Sequence, residues 1–376
     1  AAAGVPWHVR SGRSCPRRGY HPRRGRGPTP LQGALKRAAP SPGELARTLA
    51  QHATALRQAT CGELQHERAR RSSAARPVLD LYTAFTALAP QTAPEFADAC
   101  AQSLTYGLLG ARWLARAADS PFCAQTVRTL LPGFSPFLRD LFAKLLALRA
   151  APRLSPLIDE LIAFLARTDI GAVFAPAARD PIIHFYEDFL DQYDPQLRKE
   201  RGVYYTPAEV VSYMVRAADA ALRSRFGLPL GLADPTSWGE FAKARGLAVP
   251  RGVSPDEPFV QVLDPAAGTG TFLLRVIEVV HQSMMAAFAA QGLSAAAAGA
   301  AWVEYVRHQL LPRLHGCELM MAPYLICHLR LGLALSETGF QFSGDDQLRV
   351  LLTSTLELHD RKRPPRRGQP APALEV

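Results

Sequence analysis

Between residue 41 and about 190 the apolar positions recur at helical spacing, and nowhere do they alternate as in a half-buried strand. Leu45, Leu49, Ala53 and Leu56 form the first stripe. Ser41-Pro42-Gly43-Glu44 before it has the residues of a capping box. The pattern predicts further helices over about 78–88, 94–118, 136–149 and 154–167, separated by Pro90, Pro94, Ser120-Pro121 and Ala151-Pro152. Leu138, Leu141, Leu145 and Leu148 make one more stripe, and Leu157, Leu161 and Leu165 another. Such stripes are core, and this half shows no evident chemistry.

From about residue 200 the pattern changes. A helix is predicted over 207–224, then a Gly/Pro/Asp-rich insertion at 227–258, then a strand from Phe259 to Leu263. A Gly-containing turn leads into a long helix from Thr271 to about Ala290. An Ala/Gly connector at 291–301, a further helix, a short strand into Gly316-Cys317-Glu318, a helix over 320–335 and a strand from Arg349 to Thr353 follow. Strands alternating with helices predict an α/β fold with a parallel, doubly wound sheet.

Composition narrows the class. Of 376 residues 48% are hydrophobic and 20% charged, too apolar for wholesale disorder. No uninterrupted apolar run reaches the ~18 residues of a membrane span, and the first residues lack the order of a secretory signal; a cytoplasmic protein is expected. The six cysteines (15, 61, 100, 123, 317 and 327) include no C-x-x-C pair, which argues against a zinc ribbon or a disulfide framework. The net charge of +10 sits at the ends: +9 in residues 1–39 and +4 in 361–376, leaving −3 for 40–360. A high pI located in two Pro/Gly/Arg-rich ends does not by itself indicate nucleic-acid binding. The missing initial Met and these ends read as a fragment or as misassigned termini.

Candidate chemistry concentrates at three places. The first is Asp264-Pro265-Ala266-Ala267-Gly268-Thr269-Gly270-Thr271-Phe272, directly after the apolar strand. A tight strand-to-helix turn needs Gly where a Cβ would strain the chain or collide with a ligand, and the helix that follows offers free N–H groups. A strand–Gly–helix turn can also be a plain connection. There is no G-x-x-x-x-G-K-[ST], and Leu273 stands where a dinucleotide fingerprint needs its third Gly. The second place is Arg201-Gly202-Val203-Tyr204-Tyr205-Thr206-Pro207. Thr206 reads as an N-cap, Pro207 as the first helical residue and Glu209 as the partner of a capping box, with Val210, Val211, Met214, Val215 and Ala218 as the buried face. The third is Gly316-Cys317-Glu318-Leu319, an acid at a strand end that can accept from ribose hydroxyls or simply cap the next helix.

Taken in this order, the three elements resemble motifs X, I and II of gamma-class, adenine-N6-specific DNA methyltransferases. The stretches 184–190 (H-F-Y-E-D-F-L), 194–207 and 316–331 are similar to the methyltransferase part of type ISP and type IIG single-chain restriction–modification enzymes. The similarity runs over about 180–357, and residues 96–109 resemble the helical coupler of such enzymes. The resemblance implies S-adenosyl-L-methionine as cofactor. Its binding residues would be Tyr205, Thr206, Pro207, Asp264, Pro265, Ala266, Gly268, Thr269, Gly270, Glu318 and Leu319. Asp264 would hold the methionine amino group, and Glu318 the ribose.

The family's Asn/Asp-Pro-Pro-Tyr/Phe tetrapeptide is not found; Pro364-Pro365 lies between Arg363 and Arg366 in a basic tail. No catalytic or metal-ligating residue is assigned, and no nuclease signature is evident in 1–150. The expected organisation is a basic segment at 1–40, a coupler-like α-helical domain at 41–185, an incomplete Rossmann-like methyltransferase domain at 186–358 and a Pro-rich tail at 359–376. The expected function is adenine-N6 methylation of double-stranded DNA within a restriction–modification system, with this chain as the cofactor-binding part and inactive by itself. Alternatives are a catalytically inactive cofactor-binding subunit completed by a second chain, a nucleotide-dependent oxidoreductase, and a small-molecule methyltransferase; Tyr-Tyr-Thr-Pro ahead of the Gly-rich turn argues against the last two.

Overall fold

The computed structural model describes residues 40–70, 75–88, 92–115, 121–130, 136–174, 181–194, 206–344 and 346–353. The basic ends at 1–39 and 359–376, and Tyr205, lie outside them. Helices dominate the N-terminal half: α1 (Pro42–Ala69), α2 (Pro77–Leu88), α3 (Ala93–Leu114), α4 (Ala124–Leu130), α5 (Pro136–Ala147), α6 (Ser155–Arg167), α7 (Ile170–Phe174) and α8 (Pro181–Tyr193). Ser41 and Glu44 form the expected capping box, and Thr92 with Glu95 forms a second one at α3.

The stripe of α1 is fully buried at Leu45, Leu49, Ala53 and Leu56, against α3 and α8. Each such Leu contributes about 1.5–3 kcal/mol of burial. Polar ties add to the packing of the helical half. The Tyr193 hydroxyl donates to Asp98 at 2.7 Å. Buried Glu67 of α1 accepts the Leu79 N–H at 2.7 Å, so one helix caps the next.

The C-terminal half supplies the sheet. Its elements are α9 (Ala208–Phe226), α10 (Trp238–Arg245), β1 (Val262–Asp264), α11 (Thr271–Ala290), α12 (Ala295–Tyr305), β2 (Leu314–Glu318), α13 (Met321–Glu337) and β3 (Arg349–Leu352). A π turn (Val306–Leu310) and a 3-10 turn (Leu311–Arg313) join α12 to β2. The strands are parallel in the order β1-β2-β3, with Asp264 opposite Gly316 and Glu318 opposite Leu352. Parallel strands require crossovers, which α11 with α12 and then α13 provide. The described chain is therefore mostly helical, with a small three-stranded parallel sheet. By length and composition alone α11 could cross a membrane; here Leu273, Ile277 and Val280 are buried, and the helix packs on α9, α12 and α13.

Two local expectations are corrected. The strand begins at Val262 rather than Phe259, because the 227–258 segment folds back on its entrance. The Phe259 N–H donates to the Thr236 carbonyl at 2.9 Å, and its ring stacks on Phe241 at 3.7 Å. At α9 the capping box does not form. Pro207 itself is the N-cap, and its carbonyl accepts the Val210 and Val211 N–H groups. Only Val211 and Val215 of the anticipated face are buried; Val210 and Met214 are 44% and 51% exposed, and Ala218 is exposed too.

α13 is the most enclosed helix, with Met321 through Leu333 all buried. It packs on α3 on one side and on α11 and the sheet on the other. His328 lies in its middle, with Nε2 3.2 Å from the Val350 carbonyl. A carbonyl only accepts, so Nε2 carries the proton. Burial pushes the imidazole pKa down from 6.5 to about 4.

A pH prediction follows from this residue. Between pH 6.5 and 4 the unfolded chain binds a proton here that the native chain does not, so stability is full above that window and falls as pH drops through it. This one group should cost about 2 kcal/mol between pH 7 and 5. His328→Gln keeps a donor for Val350 and removes the titration. Urea midpoints at the two pH values should therefore fall further in the unaltered chain than in the variant; parallel declines would refute the assignment.

Candidate cofactor site

The turn between β1 and α11 is where the candidate residues meet. Its backbone is over-determined by hydrogen bonds. The Ala267 N–H donates to the Cys317 carbonyl at 2.8 Å, and the Gly270 N–H donates to the Ala267 carbonyl at 2.7 Å. The Gly268 N–H donates to Glu318 Oε2 at 2.8 Å. This geometry needs left-handed backbone at two residues, Gly268 (φ +55°) and Gly270 (φ +81°), a region that costs an L side chain about 1–2 kcal/mol.

The two glycines differ in what surrounds them. A Cβ on Gly270 would lie 2.6 Å from Cys327 Sγ, so this Gly lets α13 approach the helix entrance. A Cβ on Gly268 would meet nothing within 4 Å. Open space in front of the turn is what a bound ligand would occupy.

Two carboxylates stand at the ends of the adjoining strands, Asp264 on β1 and Glu318 on β2. Asp264 Oδ1 accepts the Ala266 N–H at 3.2 Å, while Oδ2 is buried without a hydrogen-bond partner. Glu318, 7% exposed, accepts from Gly268 and, through Oε1, from the Met320 N–H at 2.7 Å. Burial raises the pKa of both, and the Asp264 charge raises that of Glu318 further. Among the described residues no basic side chain offsets either shift. An orphaned carboxylate oxygen is costly in a protein interior, and a cationic ligand group would relieve it.

The other candidates are placed as follows. Pro265 and Ala266 are exposed on the rim of the turn, and Thr269 is buried beneath it. Leu319 is 66% exposed beside Glu318. Thr206 and Pro207 are exposed at the start of α9, which packs on α11; among the described residues no hydrogen bond ties them to the turn. Tyr205 lies outside the described residues.

Two residues of α13 escaped the sequence reading. Cys327 packs under Gly270, and the buried Arg330 donates to Thr269. The available signal was the pair His328 and Arg330 within an otherwise apolar stretch, Leu325-Ile326-Cys327-His328-Leu329-Arg330-Leu331.

Comparison with known proteins bears on the same region. A family model described as N-6 DNA Methylase matches residues 177–226, which include α8, the Tyr-Tyr-Thr-Pro element and α9. The resemblance read from the sequence and the family match agree on this segment. No curated protein matches the chain. Among the solved structures that are similar are three complexes. One is a DrdV–DNA complex (TM-score 0.47, 20% identity, 85% of this chain and 26% of that one). Another is a nuclease-deletion mutant of the type ISP restriction–modification enzyme LlaGI with a DNA substrate mimic (0.48, 17%, 86% and 22%). The third is the ATP-dependent type ISP restriction–modification enzyme LlaBIII bound to DNA (0.45, 18%, 83% and 18%). The chain thus spans about a quarter or less of their length.

The contrast between the glycines is testable. Gly270→Ala should destabilise by about 2–4 kcal/mol, combining left-handed strain with overpacking against Cys327. Gly268→Ala should cost about 1–2 kcal/mol, the strain alone. Denaturant midpoints of the two variants would measure this, and equal losses would contradict the packing role given to Gly270.

Proposed function

We propose that this chain is the S-adenosylmethionine-binding part of an adenine-N6 DNA methyltransferase belonging to a restriction–modification system. The observation that carries the reading is the half-buried Asp264, with its unpartnered oxygen, and the buried Glu318 at the ends of β1 and β2, beside the open turn at Gly268. The cofactor has an ammonium and a sulfonium, and a cation suits an unpaired Asp264 oxygen at the end of a parallel strand. When bound, the cofactor supplies an electrophilic methyl group.

The residues of this chain would hold and orient it. Asp264 Oδ2 would accept from the ammonium. The Gly268 turn would let the ligand lie close to the backbone, as only Gly permits. Glu318 would use a remaining lone pair for a ribose hydroxyl, since a carboxylate has about four acceptor sites and backbone N–H groups of Gly268, Leu319 and Met320 act on it. Thr206 and Pro207, with Tyr205, would close the methionine end from the start of α9. The fold reading that accompanies this is a Rossmann-like methyltransferase domain over 186–358, preceded by a coupler-like helical domain over 41–185.

Double-stranded DNA is the proposed partner, by the family match and the sequence resemblance. Methylation at an exocyclic amine requires the base to leave the helix, and extrusion costs a few kcal/mol that base contacts must return. The residues assigned here serve the cofactor, so those contacts would come from elsewhere in the complete enzyme, including a second chain if one completes it.

Isothermal titration with S-adenosylhomocysteine and S-adenosylmethionine tests the reading. The unaltered chain should bind. Asp264→Asn, isosteric but uncharged, should weaken binding by roughly tenfold or more, the value of a hydrogen bond to a charged group. Gly268→Val should abolish it by filling the open space. Undiminished affinity in folded Gly268→Val would sink the assignment of this turn.

A further inference from the structure

The turn is held from beneath by one buried cation. Arg330 is 3% exposed, on the side of α13 that faces the start of α11. Its Nη1 donates to the Thr269 carbonyl, to Thr269 Oγ1 at 2.8 Å and to Thr271 Oγ1 at 3.3 Å. Thr269 is 1% exposed and sits between the two left-handed glycines. The residues on either side of it, Gly268 and Gly270, are tied to Glu318 and Ala267 respectively. Thr269 is therefore one point at which this segment is fastened to α13, with two of the three contacts from Arg330.

Burying a guanidinium costs several kcal/mol unless its donors are met, and a helix interior this apolar would be filled more cheaply by Leu or Met. Arg provides what they cannot: a charged terminal nitrogen whose two N–H groups are shared among a backbone carbonyl and two hydroxyls. Those three acceptors lie on the segment that sets where Gly268 and Asp264 stand. Its neighbours on α13 also act on this region: Cys327 packs under Gly270, and His328 holds β3.

We propose that Arg330 is a positioning residue for cofactor binding. It fixes the Gly268-Thr269-Gly270 backbone so that the open space and the unpaired Asp264 oxygen are presented in one geometry, without touching the ligand. This rests on the cofactor reading above.

The test compares S-adenosylhomocysteine affinity in the unaltered chain, Arg330→Met, Arg330→Lys and Thr269→Val, well below each thermal midpoint and with folding checked by circular dichroism. Folded Arg330→Met should bind about 10- to 100-fold more weakly, the usual effect of removing a group that orients the residues in contact with a ligand. Arg330→Lys, which keeps one charged donor, should recover part of that loss. A purely structural role would lower the midpoint and leave the affinity of the folded protein unchanged. Thr269→Val keeps the volume and the carbonyl bond while removing the hydroxyl acceptor, so it serves if Arg330→Met does not fold; it should bind measurably more weakly. Binding by the unaltered chain with unchanged affinity in the folded variants overturns the role of Arg330 and leaves the cofactor reading standing. No binding by the unaltered chain overturns both.

Discussion

The close approach of α13 to the turn after β1 is the constraint on which the rest of the site depends. At Gly270 only a hydrogen separates the chain from Cys327, since a Cβ would come within 2.6 Å of the sulfur. That closeness puts Arg330 within reach of Thr269, and it keeps the start of α11 against the same helix that carries His328 to β3. A side chain at position 270 would push the start of α11 away from α13. The hydrogen bonds from Arg330 would then lengthen together, because they share one guanidinium. Packing and polar contacts are therefore not separate contributions here.

The electrostatics run the opposite way from a stability optimum. Asp264 and Glu318 are both desolvated, both raised in pKa and close enough to interact, and Asp264 has an oxygen without a partner. A sequence chosen for stability alone would replace such a pair with apolar groups. Strain of this kind gathers at functional sites. The buried cation nearby, Arg330, donates to the turn's backbone and hydroxyls.

Much of this was legible in the sequence, for identifiable reasons. Helices α1, α11 and α13 announced themselves because apolar periodicity and turn residues agree along them, and the Asp264–Gly270 turn because Gly and Pro punctuate it. What failed were features decided by tertiary contact. Thr206-Pro207-Ala208-Glu209 has the letters of a capping box, yet the helix starts one residue later, where the Pro207 carbonyl takes the first N–H groups. Phe259 has the propensity of a strand residue, but the aromatic ring of Phe241 claims it. Arg330 was invisible because an Arg in a helix ordinarily points to solvent, and only the fold reveals that three acceptors await it.

The position of α13 also bears on how the two halves of the described chain depend on each other. Its buried length is shared between α3 on one side and the sheet with α11 on the other, and Gly110 of α3 lies where a Cβ would stand 3.2 Å from Leu329. The residue next to that contact is Arg330. A displacement of α3 would thus be felt by α13 one residue away from the guanidinium that holds the turn. Closely packed interiors pass on such shifts rather than absorbing them. The helical half bears on the turn in this sense: among the described residues, α3 covers the face of α13 opposite it. The same packing explains why so apolar a helix can carry two polar residues at 328 and 330, since with both faces covered each has a fixed acceptor and neither has access to water.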